Sequence, residues 1–196
     1  KSRLLYEFRQ ALRGEAVTYV EGHCLSYGTS IPFLPVLEIL RAACRIRESD
    51  SPAVVTAKLH KSLARVGIDP ESALPFLLRF VGIKEGTESL DTYRADGIQV
   101  RTTQILRQMC LGAARERPLI IAIEDIHWMD ASSEALGEMF QSVEGVPLLL
   151  IVTYRPGYWP PSLERTHLTQ IALQPLGPED SRSVLGGFLS RERLAD

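Results

Sequence analysis

No run in this chain is long and apolar enough to cross a bilayer. The longest, Leu119 to Ile123 and Val146 to Val152, fall far short of the roughly 20 residues that a spanning helix needs. No membrane partner is therefore expected. Charge of one sign is missing too: 22 Lys and Arg against 24 Asp and Glu leave a formal net charge of -2. That balance gives no electrostatic case for direct contact with nucleic acid. Cysteine is scarce. Cys24, Cys44 and Cys110 are widely spaced and odd in number, which excludes a closed disulfide framework and suits core thiols in a reducing, cytoplasmic setting. His23 and Cys24 are adjacent but lack a second ligand pair, which argues against zinc. No secretory or transit signal opens the chain, and there is no internal repeat or low-complexity tract. What remains is ordinary globular material, 45% hydrophobic and 23% charged over 196 residues, enough for one α/β domain with a real core.

The stretch that organises the rest is Pro118-Leu-Ile-Ile-Ala-Ile-Glu-Asp125: the apolar run Leu119 to Ile123, opened by Pro118 and followed by Glu124 and Asp125. A short, unbroken, β-branched run reads as a strand buried on both faces of a parallel sheet. In open α/β sheets ligands sit outside the carboxyl ends of the strands, where the two acids would be delivered. Magnesium takes oxygen ligands and is usually held by one or two carboxylates plus substrate phosphates, so this is the pattern of a Walker B segment. The plainer alternative is a strand meeting solvent.

Around that strand the periodicity predicts, in order, an amphipathic helix over 2–13 stopped by Gly14 and a strand from Val17 to Gly22. A loop from Cys24 to Pro35 then leads into a helix carrying Val36, Leu37, Ile39 and Leu40. Ser51-Pro52 and Asp69-Pro70 each supply an N-cap followed by proline at the first helical position, with Gly67 and Gly82 as stops. Two short helices result, read as a helical insertion over about 51–90. A longer helix from about Asp91 to Arg115 would bury Ile98, Ile105, Leu106, Met109 and Ala113. Beyond the central strand, Asp130 is placed to cap a helix from Ala131 to about Ser142. Leu148 to Thr153 is a second apolar strand, and Leu168 to Leu173 reads as a shorter third. A last helix opens near Pro175 and begins a following helical region over about 177–196. The alternation is that of a doubly wound parallel sheet.

Lys1-Ser2 heads the first helix, and a phosphate-binding loop of the form G-x-x-x-x-G-K-[ST] ends on just that pair. The chain starts without methionine, as an excised fragment starting after the final glycine of such a loop would, truncated of the strand before it. Lys1-Ser2, the acidic strand end and a second strand ending in Thr153-Tyr-Arg155 occur in the order a P-loop ATPase needs. Together with Glu21-Gly-His-Cys24, Pro32-Phe-Leu-Pro35, Ile123-Glu-Asp-Ile-His-Trp-Met-Asp130 and Val152-Thr-Tyr-Arg-Pro156, they make the sequence similar to the AAA+-type P-loop ATPase module of the STAND class. That module occurs in bacterial multidomain regulators and in cyclase-like proteins that join a cyclase domain to an ATPase domain. The resemblance spans almost the whole chain, and its most specific part is the Glu-Asp-x-His-Trp-x-Asp string.

The resemblance implies ATP and magnesium as cofactors. Lys1 would contact the β- and γ-phosphates, Ser2 the magnesium, Glu124 the magnesium-side acidic position and Asp125 the water-activating one. Both acids, with Ser2, form the implied metal set. The order departs from the commoner Asp-Glu of active AAA+ motors, so the two roles are exchangeable, and a shortened base implies slow hydrolysis. Arg155 resembles a sensor arginine reporting the γ-phosphate, and reads equally well as a surface or helix-dipole partner. His127 and Trp128 read first as packing residues and second as nucleotide contacts. The expected function is a nucleotide-dependent signalling switch whose partners are ATP or ADP, neighbouring domains of the same polypeptide and, in a homo-oligomer, further copies of the chain. A mechanical AAA+ motor or loader, and a non-catalytic interaction platform, are the alternatives.

Overall fold

The computed structural model describes residues 1–26, 32–130, 133, 145–158, 169–183 and 186. The chain divides into two compact units, Ser2–Glu164 and Arg165–Asp196 together with Lys1. The larger unit holds a parallel three-stranded sheet with flanking helices, the α/β architecture expected of a P-loop NTPase-like fold. Its strands are β1 (Thr18–His23), β2 (Leu119–Glu124) and β3 (Leu148–Val152), in the spatial order β1-β2-β3. The register pairs Val20 with Ile121 and His23 with Glu124 across one ladder, and Ile121 with Leu150 and Ile123 with Val152 across the other. Leu119 to Ile123 are all buried, because the middle strand of a sheet covered by helices has no face left for water.

Helix α1 (Ser2–Ala11) precedes β1 and buries Leu5, while Leu4 stays 59% exposed, so its apolar stripe is narrower than the sequence spacing suggests. Helix α2 (Leu34–Ala43) follows β1, with Pro35 in its first turn rather than in the preceding loop. Gly22 makes their contact possible: a Cβ there would lie 2.4 Å from the carbonyl oxygen of Pro35. Residues with side chains are therefore excluded at that crossing.

Helices α3 (Pro52–Arg65) and α4 (Pro70–Phe80) fall where the Pro and Gly punctuation put them. Asp69 caps α4 by accepting from the N–H groups of Glu71 and Ser72, whereas Ser51 makes no side-chain cap bond to α3. Gly67 closes α3 in the left-handed region at φ 76°. Helix α5 (Ala95–Glu116) starts later than Asp91 because the chain turns through residues 91–93 after a 3₁₀ turn, Glu88–Leu90, and Arg94, the residue before the helix, is extended. Its fully buried positions are Thr102, Ile105, Leu106 and Ala114, with Ile98 and Met109 packed alongside.

Two apolar clusters result. One lies among the helices and includes Leu40, Leu59, Leu63, Phe76, Leu77 and Ile105. The other joins the sheet to its covering elements through Val20, Ala114, Ile121, Ile123 and Ile126. Cys24 and Cys44 are buried and Cys110 is half-buried, all as free thiols.

In the smaller unit the expected strand from Leu168 to Leu173 does not form over its described residues 169–173. Ile171 and Leu173 are 75% and 49% exposed, so their alternate spacing buries no face and gives pairing no apolar reward. Residues 178–183 are helical, close to the start read at Pro175. The helix predicted from Ala131 to Ser142 lies outside the described residues except for Ser133.

Candidate functional site

The carboxyl end of β2 delivers Glu124, and the chain turns sharply at the next residue. Asp125 adopts φ 56° and ψ 46°, a left-handed conformation uncommon outside glycine but several-fold enriched for Asp. Isoleucine 126 then begins a 3₁₀ turn, Ile126–Trp128. The turn sends the two acids to different neighbours. Glu124 Oε2 accepts a hydrogen bond from Ser2 Oγ at 2.5 Å, while Asp125 Oδ1 lies 3.9 Å from Nδ1 of His127.

The Ser2–Glu124 contact joins residues 122 apart in sequence. It places the first turn of α1 at the carboxyl end of the central strand. A helix N-terminus carries unpaired N–H groups and the positive end of the helix dipole, which favours an anion. A hydroxyl and a carboxylate side by side are hard oxygen donors, the kind magnesium takes. Lys1 is exposed and directly precedes Ser2 in sequence.

Thr153, the residue after β3, supports the turn. Its N–H donates to Ile123 O at 3.0 Å, its carbonyl accepts from Ile126 N–H at 2.9 Å, and its Oγ1 accepts from Asp125 N–H at 3.0 Å. Two residues on, the Arg155 guanidinium lies over the Trp128 ring, 5.6 Å from its centroid. His127 packs against Trp128 at 5.1 Å and Tyr158 at 6.4 Å between centroids, and Tyr154 meets Tyr158 at 6.2 Å. Trp128 is half-buried against the sheet cluster, as a packing residue would be.

Asp130 closes this segment with a wider reach than a simple cap. It accepts from Ser133 N–H at 3.0 Å and from Ser133 Oγ, and also from Phe33 N–H at 3.3 Å. Phe33 is the left-handed residue preceding α2, so one carboxylate ties together the starts of two segments. Neither sequence spacing nor composition signals that second bond. His23, at the end of β1, contacts Glu38 on α2 twice, through its N–H at 2.8 Å and through Nδ1 at 3.0 Å. Burial, and after it the carboxylates of Asp130, Asp125 and Glu38, push the Cys24 thiol up to about 12. Negative charge is therefore concentrated at this end of the sheet. Among the described residues no group of three or more His, Cys, Asp and Glu is arranged to hold a metal, and no helix is long and apolar enough to cross a membrane.

A family model described as the AAA ATPase domain matches residues 1–152. The chain belongs to that family. This AAA ATPase domain is also 26% identical over 196 residues to an uncharacterised protein of Rhizobium meliloti (strain 1021). The match covers 100% of the present chain and 19% of that relative, so the chain spans about a fifth of its length. No solved structure matches. Membership of an AAA ATPase family implies nucleotide binding.

Proposed function

We propose that this AAA ATPase domain is an ATP-binding regulatory module of the STAND class within a multidomain signalling protein. Bound ATP or ADP sets how it packs against neighbouring domains, including a cyclase domain in cyclase-associated members, and slow hydrolysis resets it. The observation that supports the reading is the 2.5 Å contact between Ser2 and Glu124, a hydroxyl at the head of α1 and a carboxylate at the end of β2 that are 122 residues apart in sequence.

In this reading the N–H groups at the head of α1 hold phosphate oxygen, with Lys1 extending to the outer phosphates. Ser2 and Glu124 present the oxygen donors for magnesium, which when bound neutralises phosphate charge. Asp125 orients and deprotonates the attacking water. One carbon shorter than glutamate, it reaches less far, which favours holding nucleotide over turning it over. Arg155, stacked on Trp128, links the end of β3 to the same turn and is the candidate reporter of the outer phosphate.

Calorimetry of magnesium-dependent ATP binding tests this. The parent protein is expected to bind with a dissociation constant on the order of micromolar. Lys1→Ala should abolish binding and Asp125→Asn should retain it. A parent that binds no ATP would leave an interaction platform as the better reading.

A further inference from the structure

We infer that Thr153 is a positioning residue for hydrolysis, acting through the backbone of Asp125 to hold the two acids apart. The inference rests on the nucleotide reading above. The observation is the convergence of two polar atoms of one residue, a carbonyl and a hydroxyl, on one turn, while its amide holds the adjacent strand. Thr153 N–H continues the β2–β3 ladder to Ile123 O, its carbonyl takes Ile126 N–H, and its hydroxyl takes Asp125 N–H at 3.0 Å. The first of these bonds belongs to the sheet. The hydroxyl bond does not, and only a side-chain acceptor at this position can make it.

That bond falls where the backbone leaves the common regions. A non-glycine residue in the left-handed region, even one as tolerant of it as Asp, is held there by its surroundings. Here the amide of the strained residue is fixed by Thr153 on one side, and the following amide by the carbonyl of the same residue. If Asp125 relaxed to an extended conformation, the direction of its side chain relative to Glu124 would change. The separation that leaves Glu124 on Ser2 and Asp125 beside His127 therefore depends on a hydroxyl 28 residues away. Because the Thr153 hydroxyl meets the backbone amide of Asp125, its loss acts on how the base is aimed rather than on how nucleotide is held.

The test uses the full-length protein, its Thr153→Val and Thr153→Ser variants, and Thr153→Ala as a second form without the acceptor. Without nucleotide, hydrogen exchange at the Asp125 amide should quicken about tenfold in Thr153→Val, the effect of losing one net hydrogen bond of roughly 1–1.5 kcal/mol, and return in Thr153→Ser. With magnesium and ATP, Thr153→Val should keep its dissociation constant within about threefold while single-turnover hydrolysis falls about tenfold, the same free energy expressed in the rate. In an Asp125→Asn background the valine should cost nothing more, as for two residues acting as a unit. Unchanged exchange at Asp125, or equal loss of binding and hydrolysis, would overturn the assignment. Absence of ATP binding in the parent would remove the nucleotide reading and this role with it, whereas intact binding with unchanged hydrolysis in Thr153→Val would remove this role alone.

Discussion

Leu59, Leu63, Leu77 and Ile105 in the helical cluster are 0% exposed, whereas Ser2 and Arg155 are exposed and Glu124, Asp125 and Thr153 are half-buried. The first group is fixed by close packing, in which every neighbour excludes water and no single contact is special. The second is fixed by a few directional bonds: Ser2 to Glu124, Thr153 to Asp125, Arg155 over Trp128. The difference separates where stability resides from where the proposed chemistry would reside. A packed region loses free energy in proportion to the volume removed, and a bonded site loses function atom by atom. Substitutions in the two regions should therefore move different observables.

The largest effect is expected in the helical cluster. Leu63→Ala empties space at a position with no exposed surface and should cost about 2–5 kcal/mol, the range for buried leucines. Denaturant unfolding should show the loss, and ATP affinity measured where the variant remains folded should be close to that of the parent. A large loss of affinity in that folded variant would mean that the two regions are not separable. Next comes the reverse experiment. Glu124→Gln keeps the volume and removes the charge beside Ser2, so magnesium-dependent ATP affinity should fall about tenfold, roughly the 1.4 kcal/mol of one weakened charge-assisted contact. Its melting temperature should hardly change, because the group is half-exposed. Equal affinity with and without magnesium in the parent would remove the reason for that contact.

Much of the packed region was legible in the sequence because its signals are local. Pro52, Pro70, Gly67 and Gly82 mark the limits of α3 and α4, and the run from Leu119 to Ile123 marks β2. Each is decided by the conformational habits of a few adjacent residues. Local signals also set the limit. Leu168 to Leu173 reads as a short strand, yet its composition says nothing about whether a partner is present, and Ile171 and Leu173 face solvent. Leu4 has the spacing of a core residue and is exposed for the same reason. At the proposed site, Glu124 and Asp125 were reached from the apolar run that ends on them, and Lys1, Ser2 and Arg155 through motif resemblance. The roles of Thr153 and of the Asp130 bond to Phe33 were not legible, because each depends on a partner 28 or 97 residues away.

Helix capping offers a smaller test of how independent the helical region is. Asp69 accepts from two N–H groups at the head of α4, so Asp69→Ala should cost about 1 kcal/mol in unfolding free energy. Ser51, which makes no such bond at α3, should tolerate alanine with only a few tenths lost. Equal costs for the two would show that the cap geometry is not what stabilises these helices.

The smallest effect comes from the thiols of the sheet cluster. Burial pushes Cys110 up to about 12, and burial with nearby carboxylates does the same for Cys24. Unfolded thiols ionise near 8.5, so above that value the unfolded state releases protons that the folded state keeps, and folding stability must fall as pH rises toward 12. Below about pH 7.5 the contribution is fully present. At pH 8.5 each thiol should have cost about 0.4 kcal/mol, the linkage value for a half-ionised group in the unfolded state alone. Denaturant midpoints between pH 7 and 9.5 would read this slope, and Cys110→Ala should flatten it while adding its own fixed packing cost. A slope unchanged by that substitution would place the alkaline sensitivity elsewhere, on groups that titrate at the exposed end of the sheet rather than in its cover.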